Sequence, residues 1–541
     1  MEKAAFLERL AGGTGLNGER VGPIDLRGLD GAGADLAGCA FEGTRMDGAV
    51  LSRARLDGAR LQDVRLAGAQ LGDASLEGAM LTGVNLEGAQ VSGAVLSNAK
   101  LASVSLRGAH LVGSTIESGL WREVDAARLD LRDARIGQTM FIGCNLDSAR
   151  MAGAHLSGVA LTRCAVRDVD WRGTTLERMS FMECDLRGVQ WPDTLKSLSI
   201  QGCTLADVGE PLDLRGRVLD GVVIGKMDAR DAALEGTRFK RCMLLNANFD
   251  GVDLRRTTFE ACIIAESSLR GADLSGLALT GCILKNSDLS GARLRATRME
   301  RCDLSGGSLR SADLTGAMLS GVLLKATDIT GWKIGGALFA GIDFTGVDLS
   351  HVPFDGLNLT ACQFRGLDLK GRTFSHCSLV DANFTDADLT GASFVGCVME
   401  RINFKRANLT RTSMAGAVAK TAFFGDATMT ETDLRGAMLR FSVFANAKIV
   451  LTKLAGADLR QTVWEGARLN GADLHGARLG AAKLAYAQFE GADCRDVDLA
   501  GADLHAVRQV DTNWSGANLH LAKPRDDAKL AAEAFKPRQE Q

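Results

Sequence analysis

The sequence has little of several features that identify common functional classes. Its 541 residues include one tyrosine, Tyr486, which argues against a tyrosine-rich recognition surface or a base-stacking platform. No apolar run approaches the roughly 20 residues of a membrane-spanning helix. The net charge is only −3, from 66 acidic and 63 basic residues. Bulk electrostatics therefore favours neither a nucleic-acid binder nor a globally acidic protein that imitates DNA.

The sequence also lacks the patterns that carry catalysis or metal binding. Its thirteen cysteines include no Cys-X-X-Cys pair, so a zinc site is not indicated and small buried thiols are expected. Seven histidines are scattered without a recurring Asp or Ser partner, and no GxxxxGK phosphate loop is present. The first residues, MEKAAFLERLAGG, make a poor signal peptide. We therefore expect a cytoplasmic protein without enzymatic activity, cofactor or metal, although secretion without a signal leaves no such trace.

What the sequence has in excess is glycine, together with a five-residue period. Glycine accounts for 63 residues, about 12% against a usual 7%, which suits a chain that turns often. A large apolar residue, here called the central residue, recurs every five positions from Leu26 to Trp191 and from Leu214 to Leu519. A small residue stands two positions before it. Neither the helical period of 3.6 nor the strand period of 2 explains this pattern.

A second period of twenty residues indicates how the five-residue units are arranged. If each five forms one side of a square coil, four sides close one coil, and like residues stack on consecutive coils. Two sets of residues at twenty-residue steps are predicted to form such stacks in the core. They are Phe344, Phe364, Phe384, Phe404, Phe424, Phe444 and Trp464, and Cys242, Cys262, Cys282 and Cys302.

These units resemble the A(D/N)LXX pattern of the pentapeptide-repeat family, as in GADLS and GADLH, from about residue 24 to 520. The resemblance implies an all-β fold, a right-handed quadrilateral β-helix of about 24 coils. Solenoids need covered ends. We expect short helical caps at residues 2–10, with Phe6, Leu7 and Leu10 on one side, and at 525–536, with Leu530, Ala534 and Phe535. In resembling proteins the C-terminal end often builds a homodimer, and a plain cap is the alternative here.

The register suggests five segments. They are an N-terminal cap (1–23), a first β-helix (24–191), a register break with loops (192–213), a second β-helix (214–520) and a C-terminal helix and tail (521–541). The break contains two four-residue slips and both Pro192 and Pro211. It represents either two loops on one continuous coil or a junction between two capped β-helices. Arg217 and Arg372 fall at inward sites and Gln509 at a central site, so a bulge or a reoriented side chain is expected at each.

One outward feature is a candidate contact site. Four aspartates precede their central residues at twenty-residue steps, namely Asp328, Asp348, Asp368 and Asp388. We call them the Asp stripe. Like charges on neighbouring strands repel one another, so stability alone would not align them. The alternative is that Asp is common at this position because its oxygens bond nearby backbone.

The leading functional hypothesis is a non-enzymatic, rod-like scaffold of a bacterial cell that binds a protein partner. Resembling proteins also include DNA mimics that bind type II topoisomerases, and secreted effectors or adaptors of secretion systems. These are the two alternatives, and the first would use the Asp stripe. The near-zero charge weighs against mimicry and against direct nucleic-acid binding.

Overall fold

The computed structural model describes residues 1–13, 16–205 and 212–534, and it divides into two compact units, Met1–Leu269 and Arg270–Gln541. Each unit is a parallel β-solenoid, and the chain makes about 24 turns in all. Short helices, α1 (Lys3–Ala11) and α2 (Asp527–Ala534), lie near the chain ends. The expected all-β solenoid with terminal helices is therefore confirmed.

The first unit is built from very short strands. They are β1 (Arg20–Val21), β2 (Ala40–Glu42), β3 (Arg60–Gln62), β4 (Met80–Thr82), β5 (Lys100–Ala102), β6 (Thr115–Glu117), β7 (Leu120–Arg122), β8 (Arg135–Gly137), β9 (Met140–Ile142), β10 (His155–Ser157), β11 (Ala160–Thr162), β12 (Thr175–Glu177), β13 (Ser180–Met182), β14 (Thr194–Lys196), β15 (Ser199–Gln201), β16 (Val218–Asp220), β17 (Val223–Gly225), β18 (Arg238–Lys240), β19 (Met243–Leu245) and β20 (Thr258–Glu260). They form two all-parallel sheets on two sides of the coil.

The second unit repeats the plan with fewer regular strands. They are β21 (Ala278–Thr280), β22 (Arg298–Glu300), β23 (Met318–Ser320), β24 (Leu338–Ala340), β25 (Asn358–Thr360), β26 (Lys448–Val450), β27 (Arg468–Asn470), β28 (Gln488–Glu490) and β29 (Arg508–Val510). Partners lie twenty residues apart, as in Leu319 with Phe339. The other sides are joined by parallel bridges of single residues at the same spacing, such as Asn383 with Asn403.

The amino-acid pattern explains each side of the coil. In most strands the middle residue is the central residue, which is buried while its two neighbours face outward. The Asp or Asn before the central residue accepts the N–H of the residue two positions later, as Asp493 does from Arg495 at 3.1 Å. This local bond stabilises the turn. At inward small sites, hydroxyls bond carbonyls of the preceding coil, as Thr432 Oγ1 does to Leu409 O at 2.7 Å. These inward hydroxyl groups are therefore satisfied.

The register break changes the pairing without ending it inside the first unit. Phe181 pairs with Ile200, nineteen residues on, and Ile200 pairs with Ile224, twenty-four residues on. The pairing of β14 with β16 likewise crosses this segment. Residues 206–211, including Pro211, lie outside the described residues.

The two terminal helices pack differently. Phe6 of α1 is fully buried, and its ring meets Phe41 edge to face at 6.2 Å. Among its described residues α2 buries none, and its contacts are polar. Its Glu533 accepts the Tyr486 hydroxyl and lies 3.2 Å from His505 Nε2. Phe535 of the expected C-terminal cap lies outside the described residues.

Candidate partner-contact surface

The Asp stripe lies on the outside of the second unit, and each of its carboxylates is engaged locally. Asp328, Asp348 and Asp368 are exposed and Asp388 is half-buried. Each accepts the backbone N–H two residues later through Oδ1, at 2.9, 2.9, 3.3 and 3.1 Å in chain order. The same bond recurs at aspartates elsewhere on the coil, for example at Asp493. The geometry is therefore that of a repeated turn.

Basic side chains also interrupt the stripe. Lys370 Nζ lies 3.1 Å from Asp368 and 3.4 Å from Asp388, and Arg310 lies 3.8 Å from Asp328. Hydrogen bonds from the side chain and backbone of Thr330 hold the pKa of the Asp328 carboxyl below its usual value. The stripe is thus a series of locally bonded and partly paired carboxylates.

The coil is irregular in the middle of the stripe because Arg372 occupies an inward site. Asp348 and Pro353 lie outside the bridge ladder, and proline has no N–H to donate. The Arg372 guanidinium donates to Ser350 O at 2.5 Å and to Val352 O, and lies 5.9 Å from the Phe354 ring centroid. These acceptors compensate its charge.

The other two residues that break the pattern are placed differently. Arg217 pairs with Asp193. Gln509 is exposed in β29, where all three residues face solvent.

The predicted aromatic residues form a buried column in the second unit. Neighbouring rings from Phe344 to Trp464 are stacked, with centroids 4.2–5.5 Å apart. A second column, Phe354, Phe374 and Phe394, meets the first edge to face, for example at 5.7 Å from Phe384 to Phe394. Both arrangements are favourable for aromatic quadrupoles. These rings have no exposed face to offer a ligand.

The cysteines are free thiols, and twelve of the thirteen are buried. Cys242, Cys262, Cys282 and Cys302 are fully buried. The exception to the expected burial is Cys203, which is only half-buried. Cys203 follows β15, whose pairing with β13 shows the first change of register, Phe181 with Ile200.

Sequence reasoning missed a group of outward apolar residues on two neighbouring sides of the second unit. On one side Val398, Val418 and Met438 are bridged in a row, and on the next Phe423, Val443 and Val463 are. Phe441 stands at the corner between the two sides. We call these seven residues the apolar corner. Their twenty-residue spacing, at the position usually held by Asp or Asn, was a signal that a search for central residues alone overlooks.

Phe441 is the most unusual member of the apolar corner. Its φ is 62°, a left-handed conformation that glycines hold at equivalent corners, such as Gly436 with φ 63° and Gly456 with φ 67°. Its side chain is 47% exposed, and Arg440 stacks on the ring at 5.4 Å. Non-glycine residues share this conformation at many turns of the coil, among them Leu451 with φ 52° and Tyr486 with φ 62°, so the exposure of the ring, and not its backbone, is what distinguishes Phe441.

Two residues beside Phe441, Phe423 and Arg440, also place their side chains on the outer surface. Phe423 lies over Gly425, where a Cβ atom would come within 2.6 Å of the ring. The absence of a Cβ atom at Gly425 leaves room for the ring in this position. Arg440 has no ion pair with any residue that the structure describes, and its buried Nε has no hydrogen-bond partner there. Its Nη2 donates a long hydrogen bond to Gln461 Oε1 at 3.5 Å, and the guanidinium stacks on the Phe441 ring.

The described residues offer little for other chemistry. Over 1–13, 16–205 and 212–534, no group of three or more His, Cys, Asp or Glu side chains is placed to hold a metal ion. Neither described helix has the length and hydropathy of a membrane span. The grooves near the stripe are shallow, such as one of about 490 Å³ that Asp348, Asp368 and Lys370 help to line.

Comparisons with known proteins agree with this architecture. A family model described as "Pentapeptide repeat region" matches residues 114–191, 232–309 and 337–414. A second, "Pentapeptide repeats (8 copies)", matches residues 32–66, 59–98, 81–117, 447–484 and 477–508. Together the two models span more than half of the chain. No curated protein matches the sequence.

Several solved structures are similar to parts of the chain. QnrB1, a plasmid-mediated fluoroquinolone resistance protein, is 21% identical over 36% of this chain and 84% of its own, with a TM-score of 0.22. HetL from Nostoc sp. strain PCC 7120 is 26% identical over 47% and 89%, with a TM-score of 0.13. A protein of the Arabidopsis thaliana thylakoid lumen is 28% identical over 20% and 65%, with a TM-score of 0.14.

The repeat pattern, the parallel solenoid and the family matches lead to one conclusion. The chain belongs to the pentapeptide-repeat family.

Proposed function

We propose that the chain is a cytoplasmic, non-enzymatic scaffold that binds a protein partner at the apolar corner. The observation that carries this proposal is the convergence of two outward apolar rows, partly exposed, on Phe441, an aromatic residue that is 47% exposed. Contiguous exposed apolar surface on a soluble protein marks an interaction site. Thirteen free thiols fit the reducing cytoplasm.

The energetics favour a partner over an internal role for Phe441. A non-glycine residue in the left-handed conformation costs about 1–2 kcal/mol. Burial of the exposed part of the Phe side chain against a partner would contribute up to roughly 1.5–3 kcal/mol to binding. Within the described residues, the aromatic or cationic contact to the ring comes from Arg440 alone. The free protein therefore leaves about half of the ring in contact with water.

The chemistry of the corner also defines the partner. Aromatic and arginine side chains dominate the binding energy of protein interfaces. A partner segment with apolar side chains would cover the valines, Met438 and Phe441. A carboxylate beside them would pair with Arg440, which forms no ion pair among the described residues and is held by a long hydrogen bond of 3.5 Å to Gln461. We thus propose a protein segment that combines apolar residues with an acidic one.

The test compares two corner substitutions in affinity capture with quantitative mass spectrometry. Phe441→Gly removes the ring and the strain together. Leu451→Gly is the matched control, because Leu451 is also left-handed (φ 52°) and 55% exposed but stands between Lys448 and Lys453. We expect Phe441→Gly to lose a protein that wild type and Leu451→Gly both retain. Equal capture by all three forms would contradict the proposal.

A second variant tests the polar half of the proposal. Arg440→Ala leaves the ring in place but removes the cation that would meet the partner's carboxylate. We expect weaker capture of the same protein, with a smaller dependence on salt concentration. Unchanged capture and salt dependence would remove Arg440 from the contact.

A DNA-mimic function that binds a type II topoisomerase has weaker support. It would require the Asp stripe as a continuous acidic face, whereas Lys370 stands between two of its carboxylates. The variant with Asp328, Asp348, Asp368 and Asp388 all changed to Lys separates the two functions. Loss of a topoisomerase from the captured proteins would favour mimicry, and retention of the partner seen by wild type would favour the apolar corner.

We also propose that two copies associate through the C-terminal end. Leu519 and Leu521 are 52% and 77% exposed there, and α2 buries no described residue. A second copy would cover these leucines. Sedimentation velocity should show a dimer for wild type and a monomer for the variant with both changed to Lys. A wild-type monomer at micromolar concentration would contradict this proposal.

A further inference from the structure

One side of the coil in the first unit carries no charged residue over six consecutive strands. These strands are β9, β11, β13, β15, β17 and β19, and they pair in parallel in this order. Each strand buries its middle residue and turns its first and third residues outward. We call the first and third residues of these six strands the uncharged strip.

Half of the uncharged strip consists of large apolar side chains. Met140 and Met182 are 49% and 45% exposed. The other four, all half-buried, are Ile142, Val223, Met243 and Leu245. Exposed apolar surface that continues over neighbouring strands marks an interaction site.

The adjoining side of the same unit has the opposite character. Its strands β8, β10, β12, β14, β16 and β18 also form a parallel sheet. Each of them turns at least one ionisable residue outward, namely Arg135, His155, Glu177, Lys196, Asp220 and Lys240. The absence of charge is therefore a property of one side and not of the repeat.

The dimensions of the uncharged strip fit one α-helix. Six strands about 4.8 Å apart extend over about 24 Å, and three residues of a strand cover about 10 Å. A helix is about 10–12 Å wide, and about 16 of its residues span 24 Å. The area of about 240 Å² is far below the roughly 800 Å² that each partner buries in a stable dimer, which argues against a second copy. An added strand does not fit, because the backbone of these strands pairs with the neighbouring coils.

Basic residues border the strip at the corners of the coil. Arg163 and Lys226 follow β11 and β17 on one edge, and Arg178 precedes β13 on the other. All three are exposed, and none forms an ion pair with a residue that the structure describes. Among the corner residues beside the strip only Glu183 is acidic. The borders therefore favour a partner with acidic side chains.

We propose that the uncharged strip binds an amphipathic α-helix of a partner protein, with the helix axis along the stack of coils. The apolar face of the helix covers Met140, Met182 and Met243, whose flexible side chains adapt to the surface that they meet. Acidic residues on its flanks meet the basic corners. The strip belongs to the first unit and is independent of the apolar corner, which belongs to the second.

The test uses the full chain and a fluorescein-labelled helical peptide of about 18 residues, with leucines on one face and glutamates on both flanks. Fluorescence anisotropy measures its dissociation constant. A peptide of the same composition, with its leucines distributed around the helix, is the control for nonspecific adhesion. Methyl NMR of the methionines locates the peptide. The signals of Met140, Met182 and Met243 should shift, and that of Met438 in the apolar corner should not.

Two matched variants test the strip itself. Met182→Lys combined with Val223→Lys changes the strip, and Lys100 of β5 shows that the same sheet accepts an outward lysine. Thr175→Lys combined with Val218→Lys is the control, because both residues face outward from the adjoining charged side. Circular dichroism verifies that both variants are folded.

We expect the strip variant to bind the peptide at least about 10-fold more weakly than wild type, because its lysines would be buried under the apolar face of the helix. The control variant should bind as wild type does. Added lysines attract an acidic peptide, so weaker binding reports lost apolar contact and not charge repulsion.

Several outcomes would overturn the proposal. They are equal binding of the two peptides by wild type, equal affinity of the two variants, and a shift of the Met438 signal alone. Binding of wild type to vesicles of phosphatidylcholine and phosphatidylserine, lost in the strip variant and without peptide binding, would assign the strip to a lipid surface instead. A dimer in sedimentation velocity that only the strip variant loses would assign it to a second copy.

Discussion

The second unit has apolar residues at twenty-residue steps both inside and outside the coil. The inner ladder is the column of stacked rings from Phe344 to Trp464, and the outer ladder is the apolar corner. The two differ in what they contact. Inside, Phe384 stacks between Phe364 at 4.6 Å and Phe404 at 5.5 Å and is fully buried. Outside, Phe441 is about half exposed and stacks on one arginine. Apolar residues thus repeat every twenty positions both inside the coil and in the outer rows of the apolar corner, in opposite environments.

This difference separates stability from function within one repeat. The inner ladder is the core, because its rings bury surface against both neighbouring coils. The outer ladder buries little surface, and at Phe441 it requires a backbone conformation that glycine adopts more easily. Burial of apolar surface in the folded chain explains the inner ladder, but it does not explain the outer one. We therefore assign the outer ladder to a partner.

The largest expected effect comes from opening the inner ladder. Phe384→Ala should lower the free energy of unfolding by about 3–5 kcal/mol, because a ring-sized cavity would remain between two stacked rings. Phe384→Leu, the usual central residue of the repeat, should cost less than about 1.5 kcal/mol. Urea unfolding, with hydrogen exchange on the flanking coils, measures both. Similar losses in the two variants would show that the ring stack is not what stabilises this core.

A change of opposite sign is expected at the outer ladder. Phe441→Gly should raise the free energy of unfolding by about 1 kcal/mol, because it relieves the left-handed strain and removes no buried contact. Part of the gain is offset by the flexibility of glycine in the unfolded chain. The measurement is again urea unfolding, beside wild type. A clear loss of stability would mean that the ring serves the fold.

An ion pair in the same outer row should have a smaller effect that depends on pH. Arg460 lies 2.6 Å from Asp458, which is bridged to Met438, and it holds the pKa of the Asp458 carboxyl below its usual value. The pair therefore stabilises the fold above the unfolded pKa of about 3.9, and this contribution is lost as pH falls further. Asp458→Asn should lower the free energy of unfolding by about 0.5–1 kcal/mol at neutral pH. It should also make the free energy of unfolding depend less on pH in the acidic range. Urea unfolding at a series of acidic pH values measures this, and a pH dependence equal to that of wild type would contradict the assignment.

The smallest effect on stability is expected from charges placed on the outer ladder. Val398→Lys combined with Met438→Lys should change the free energy of unfolding by no more than about 0.5 kcal/mol, because both side chains already face solvent. The same variant should lose the partner. Leu323→Lys is the control, since Leu323 is 50% exposed but is bridged to Asp303 and Asp343. Partner loss in the control would point to a general effect of charge.

Much of the inner structure was predictable because the period specifies it. The spacing of Phe344 and Phe364 placed them on consecutive coils, where their rings lie 5.1 Å apart. The outer site was not predicted, because an outward valine leaves the five-residue period intact and a φ angle cannot be read from a sequence. The Asp stripe was located by spacing, but the local bonds of Asp328 and its companions require side-chain geometry.

Site-specific photocrosslinking tests the central claim most directly. A photoreactive phenylalanine such as p-benzoylphenylalanine would replace Phe441 in one form and Leu323 in another, and both would be irradiated in cells. The account predicts one protein crosslinked at position 441, absent at position 323 and displaced when Arg440→Ala is added. Crosslinks of the same pattern at both positions, or none at position 441, would contradict the assignment of the outer ladder to a partner.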